Sequence, residues 1–100
     1  MNGYGKTLDQ HRRLAILAHL ADCLDYASNS EILLDVVNGL GIATGRDRMI
    51  GTLAWLAEQD LITQEDHEGF VMACATARGV DIAKGRACHP DIRRPAPKDR

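Results

Sequence analysis

Two helix-period patterns of apolar residues stand only a few residues apart in the middle of the chain, and this spacing constrains the fold most. The first lies in "SNSEILLDVVNGLG", where Ile32, Leu33, Val36 and Val37 recur at helical intervals. The second lies in "GIATGRDRMIGTLAWLAEQDLI", with Met49, Ile50, Leu53, Leu56 and Ala57 on one stripe. Ser28 and Glu31 have the spacing of a capping box for the first helix, and Gly39 is placed to end it in the left-handed conformation. A turn over Leu40–Ala43 then leads to Thr44, an N-cap residue type with Asp47 three positions on, so a helix from about Gly45 to Asp60 is expected. Two helices joined so tightly must cross rather than run on, which is the helix-turn-helix arrangement.

The flanking segments extend this unit. Lys6 to about Leu24 reads as a first helix in which Leu14, Ile16, Leu17, Ala18, Leu20, Ala21, Cys23 and Leu24 fill more than half of the wheel. A helix with one neighbour needs only about a 100° stripe. The wider arc predicts burial on two sides, with Leu14, Leu17, Leu20, Ala21 and Leu24 expected in a homodimer seam. An apolar arc can also be covered by the chain's own tail. After the helix pair, "ITQE–DHEG–FVMACA" alternates as a hairpin with Gly69 near its loop, and Thr76 caps a fourth helix, "ARGVDIAKG", expected to extend toward Cys88. The predicted fold is mainly α with a small β-hairpin wing, a winged helix-turn-helix. Its domain spans residues 1–88, and residues 89–100 form a basic, proline-containing tail, mobile or clasping a partner.

Composition sets the outer limits. One hundred residues suit one small domain, and 45% hydrophobic with 26% charged residues is globular rather than disordered. No apolar run approaches the roughly 18–20 residues of a membrane span, and "MNGYGKTLDQ" lacks signal-peptide order, so a cytoplasmic protein without membrane contact is expected. Cys23, Cys74 and Cys88 form no CxxC pair, and His19 with Cys23 supplies at most two metal ligands, so neither metal nor cofactor is expected. Glycine-rich phosphate loops, nucleophile elbows and HExxH are absent from the sequence, and no enzymatic activity is expected. Net charge is +2 over residues 1–13, +2 over residues 91–100 and −6 between them. Basic ends of this kind can serve as arms on nucleic acid.

The third helix has features of a reader of the DNA major groove. Arg46 and Arg48 place donors in its first turn, Thr44 and the helix amides can hold a phosphate, Gly51 permits close approach, and Thr52 can bond a base. Arg93 and Arg94 in the tail would add phosphate contacts. Double-stranded DNA is accordingly the first expected partner. The hairpin loop "EDHEG" opposes that reading, because Glu65, Asp66 and Glu68 repel phosphates. Trp55, on the same side as Arg48, is expected under the wing or against a partner. A winged-helix adaptor that binds another protein is therefore the alternative.

From Leu33 to about Gly85 the pattern resembles winged-helix transcriptional regulators, with "LAWLAEQDLI" and "TARGVDIAKG" matching their helix-to-strand and final-helix elements. Over nearly its whole length, including "HRRLAILAHLAD" and "HPDIRRPAPK", the chain is similar to small proteins of Mu-like phages and prophages labelled ArsR-type regulators. The resemblance implies a winged-helix fold and DNA-linked work in a phage or its bacterial host, such as transcriptional regulation. The paired cysteines of metal-sensing members are missing from "ATGRDRMIG", and Asp60 stands where those proteins place a glycine. Metal sensing is therefore not carried over.

Overall fold

The computed structural model describes residues 3–97, which form four helices and one three-stranded antiparallel sheet. α1 (Gly3–Asp22) leads through a single 3-10 turn (Leu24–Tyr26) into β1 (Ala27–Asn29). α2 (Ser30–Gly39) and α3 (Arg46–Glu58) follow, then the hairpin β2 (Ile62–His67) and β3 (Phe70–Ala75), and finally α4 (Ala77–Ala83). The sheet order is β1-β3-β2, with Ala27 opposite Cys74 on one side of β3 and Thr63 opposite Cys74 on the other. Alternation along β3 sends Val71, Ala73 and Ala75 inward and leaves Phe70, Met72 and Cys74 on the outer face. No helix among the described residues is long and apolar enough to cross a membrane.

Helix ends follow backbone chemistry more closely than the sequence spacing suggested. α2 is capped by Asn29, whose Oδ1 accepts from the Ile32 amide, and not by Ser28, which is buried in β1. That strand had no signature of its own beyond the cap pattern. The neighbouring Ser30 hydroxyl accepts from the Val71 amide and ties α2 to the sheet. Gly39 belongs to the helix, and Gly41 takes the left-handed turn instead (φ 85°), with Gly41 N donating to Asn38 O and Ile42 N to Val37 O. This paired 5→2 and 6→1 pattern is the Schellman motif. α3 closes in the same way on Asp60 (φ 61°), with Asp60 N donating to Ala57 O and Leu61 N to Leu56 O. Thr76 does cap α4, accepting from the Gly79 amide, but the helix stops at Ala83 rather than reaching Cys88.

The core joins α1, α2, α3, the inner face of β3, α4 and one tail residue, Ile92. Leu17 and Leu20 are completely buried within the single chain, so they are not available to a dimer seam. Leu14 and Ala21 are half-buried against the same core. Leu24 lies beyond the end of α1, where Asp25 and Tyr26 both have positive φ (57° and 58°) and swing it out to 89% exposure. The second side of the wide α1 arc is covered from within. α4 packs along it, and residues 89–97 fold back rather than extend: Ile92 is buried, Arg93 N donates to Gln10 O, and Arg13 Nη1 donates to Asp91 O at 2.9 Å. Lys98 and Arg100, the remaining basic residues of the tail, lie outside the described residues.

Candidate functional site

The α2–α3 corner is fixed by side chains that satisfy the backbone of its turn. Asn38 Oδ1 accepts from Thr44 N at 2.9 Å, while its Nδ2 donates to Leu34 O and Thr44 O. The Thr44 hydroxyl donates to Ile42 O at 2.7 Å and accepts from Arg12 Nε at 2.9 Å. Arg12, 3% exposed, also reaches Ala43 O at 3.2 Å and Asp9 Oδ1 at 2.7 Å. One buried guanidinium thus holds the turn to α1. Thr44 is committed to this clamp, and Gly45 occupies the N-cap position that was expected of it. Arg12 fell on the polar part of the α1 wheel, and sequence alone gave no signal that a cation there would be buried.

α3 buries Met49, Thr52, Leu53 and Leu56. Its exposed side presents Arg46, Asp47, Arg48, Ile50, Gly51 and Glu58. Three expectations for a base-reading face change here. Thr52 is buried and its hydroxyl donates to Arg48 O at 2.7 Å, because threonine in a helix can bond the carbonyl one turn back. Arg46 is ion-paired with Glu31 across the helix pair. Arg48 lies 3.8 Å from Asp9 on α1. Both guanidinium groups stay well exposed, at 66% and 63%, and surface pairs contribute only about 0–1 kcal/mol. Ile50, placed on the inner stripe by the sequence pattern, is instead 44% exposed.

Trp55 does not pack beneath the hairpin. The Arg13 guanidinium stacks 4.0 Å over its ring, and His89 from the tail meets it edge-on at 5.3 Å while bonding Gln59. The tryptophan is therefore glue between α1, α3 and the tail. Lys6, Arg12, Arg13 and Arg48 line the shallow groove beside it together with Asp9 and Asp91, so cations outnumber carboxylates there. Gly51 lines a neighbouring groove that shares Asp9, Arg13, Arg48 and Trp55 with it. Arg94 lies elsewhere, in a cleft with Ala18, Ala21 and Asp22 on the far half of α1, and the Arg93 side chain is exposed. The structure does not bring these tail arginines to α3. His19 and Cys23 are half-buried, and no group of three or more potential metal ligands occurs among the described residues.

On its other flank α3 meets the hairpin. A cleft of about 250 Å³ opens between the starts of α2 and α3 and the hairpin turn, lined by Leu34, Met49, Ile50, Phe70 and Val71 with Glu31, Arg46 and Asp47 at its edge. Asp66 stands directly opposite Val71 in the ladder and so shares its sheet face. His67 stacks on Phe70 at 4.9 Å and contacts Glu65 on the outer face. The acidic hairpin thus adjoins the α3 start.

These features define a small α+β domain with a helix–hairpin face. Neither a family model nor a solved structure gives a significant match to the chain. A protein comparison does. The chain belongs to the family of the uncharacterized protein gp26 of Escherichia phage Mu, to which it is 43% identical over 91 residues, covering 91% of this chain and 94% of that protein. A phage protein is what the sequence resemblance implied.

Proposed function

We propose that this phage protein is a winged-helix adaptor that binds another protein through the face made by α3 and the β2–β3 hairpin, in particle assembly or genome packaging. The winged-helix reading is supported by two helices meeting at a clamped six-residue turn, followed by a two-stranded hairpin beside the second helix. The choice of a protein partner rests on one observation: the presented face is apolar at its centre and acidic around it. Ile50 lines the cleft, Glu31 and Asp47 stand beside it with Arg46, and Glu65, Asp66 and Glu68 are exposed on the hairpin. Phosphate neutralisation drives duplex binding, and the hairpin of this surface carries carboxylates in place of cations.

A second reading, a homodimeric DNA-binding regulator, keeps one specific support. Arg46 and Arg48 sit exposed at the start of a rigid surface helix, held only by weak surface pairs that a phosphate could replace.

Electrophoretic mobility shift with fragments of the parent phage genome, from low salt up to about 0.15 M, separates the two. The adaptor reading expects no sequence-preferring shift and capture of a phage protein that Ile50→Asp abolishes. A preferred fragment retained at the higher salt and lost in an Arg46→Ala/Arg48→Ala variant would select the regulator. Mass by light scattering addresses the dimer directly.

A further inference from the structure

Resting on the adaptor reading, we infer that the cleft between α2, α3 and the hairpin takes a cationic segment of the partner protein, with an aliphatic side chain inserted and lysines or arginines flanking it. The cleft is lined by the apolar residues Leu34, Met49, Ile50 and Val71, with Phe70 and His67 at its hairpin edge. At about 250 Å³ it is smaller than the roughly 300–1,000 Å³ of small-molecule sites, and it suits one or two inserted side chains.

The rim selects the charge. Glu31 and Asp47 line the opening, Asp66 shares the sheet face of Val71, and Glu68 sits between two lining residues, His67 and Gly69. Against these carboxylates stands the guanidinium of Arg46, itself paired with Glu31. An anionic or neutral segment would leave that imbalance uncompensated, whereas a cationic one matches it and is steered toward it. Position within the fold adds to the case. The floor is built from three elements that the Ser30–Val71 hydrogen bond and the clamped turn hold together, so the cleft is preformed and its occupant does not have to organise it.

The probe is a fluorescein-labelled peptide with two central leucines flanked on each side by arginines, followed by anisotropy at about 0.15 M salt. Saturable binding is expected, weakened about tenfold or more both by Asp66→Lys/Glu68→Lys and by Ile50→Asp. The last variant is decisive because it adds negative charge. Attraction by charge alone would make Ile50→Asp bind the probe more tightly, and that result overturns the inference. Equal binding of a peptide with serines in place of the leucines, or no saturable binding, overturns it too. All three substituted positions are exposed, and unchanged circular dichroism verifies the fold.

A photo-crosslinking residue at position 50 or at position 24 in phage-producing cells separates this inference from the adaptor reading. Crosslinking at position 50 to a lysine- or arginine-rich segment supports the cleft. Crosslinking at position 50 to an acidic segment sinks the cleft while the adaptor stands, and crosslinking at position 24 alone removes both. Crosslinking at neither position removes both.

Discussion

Arg12→Ala tests the claim that one buried guanidinium organises the α2–α3 corner. The side chain is 3% exposed and bonds Thr44 Oγ1, Ala43 O and Asp9 Oδ1. Hydrogen bonds involving a charged group contribute about 1.5–3 kcal/mol each, but three from one group are not additive. Breaking a buried ion pair by removing one partner costs about 3–5 kcal/mol. Asp9 is about one-third exposed, so water can take over at its carboxylate and the cost falls. We place the loss at about 2–4 kcal/mol, which for a domain of this size lowers Tm by about 10–25 °C. Urea and thermal unfolding measure it. A double-mutant cycle with Thr44→Val then isolates one arm of the clamp, where a coupling of about 0.5–1.5 kcal/mol is expected. A single-mutant loss below about 1 kcal/mol, or no coupling to Thr44, refutes the clamp as an energetic feature.

Three further outcomes are expected. Asp60→Gly should raise stability by about 0.5–1 kcal/mol in urea unfolding, because Asp60 closes α3 at φ 61° in a conformation glycine adopts without strain. Gly79→Ala should cost at or above the 1–3 kcal/mol of ordinary overpacking, since a Cβ there would lie 2.1 Å from the Leu61 carbonyl oxygen, which α3 and α4 hold in place; a Tm close to that of the parent chain would contradict that packing. Leu17→Ala should cost about 2–5 kcal/mol by core truncation yet leave the mass in light scattering unchanged, and a lowered mass would restore α1 as an association surface.

Much of the architecture follows from local pattern. Apolar periodicity marks α1, α2, α3 and the hairpin, and the Thr76 cap marks α4, because each signal acts within a few residues through backbone geometry and burial. Where several residues compete for one local role, the pattern is silent. Ser28 and Asn29 could both cap α2, and Gly39 and Gly41 could both end it. Asn29 prevails because Ser28 is drawn into β1, whose partner β3 lies more than forty residues away. The same distance hides β1 itself.

The candidate site depends still more on tertiary structure. Sequence spacing put Arg46, Arg48, Gly51 and Thr52 on one helix but could not give their neighbours. Glu31 and Asp9, contributed by other helices, pair with the two arginines, and a small rotation of the stripe buries Thr52 while exposing Ile50. The sequence by itself determined the order of elements, the acidic hairpin and the breadth of the apolar arc on α1. Only tertiary structure decided that α4 and the tail cover this arc, that Arg12 is a buried clamp, and that an apolar cleft opens beside carboxylates. The physical reason is range: caps and amphipathic stripes are set over one or two helical turns, whereas burial, charge pairing and cavities arise where distant segments meet.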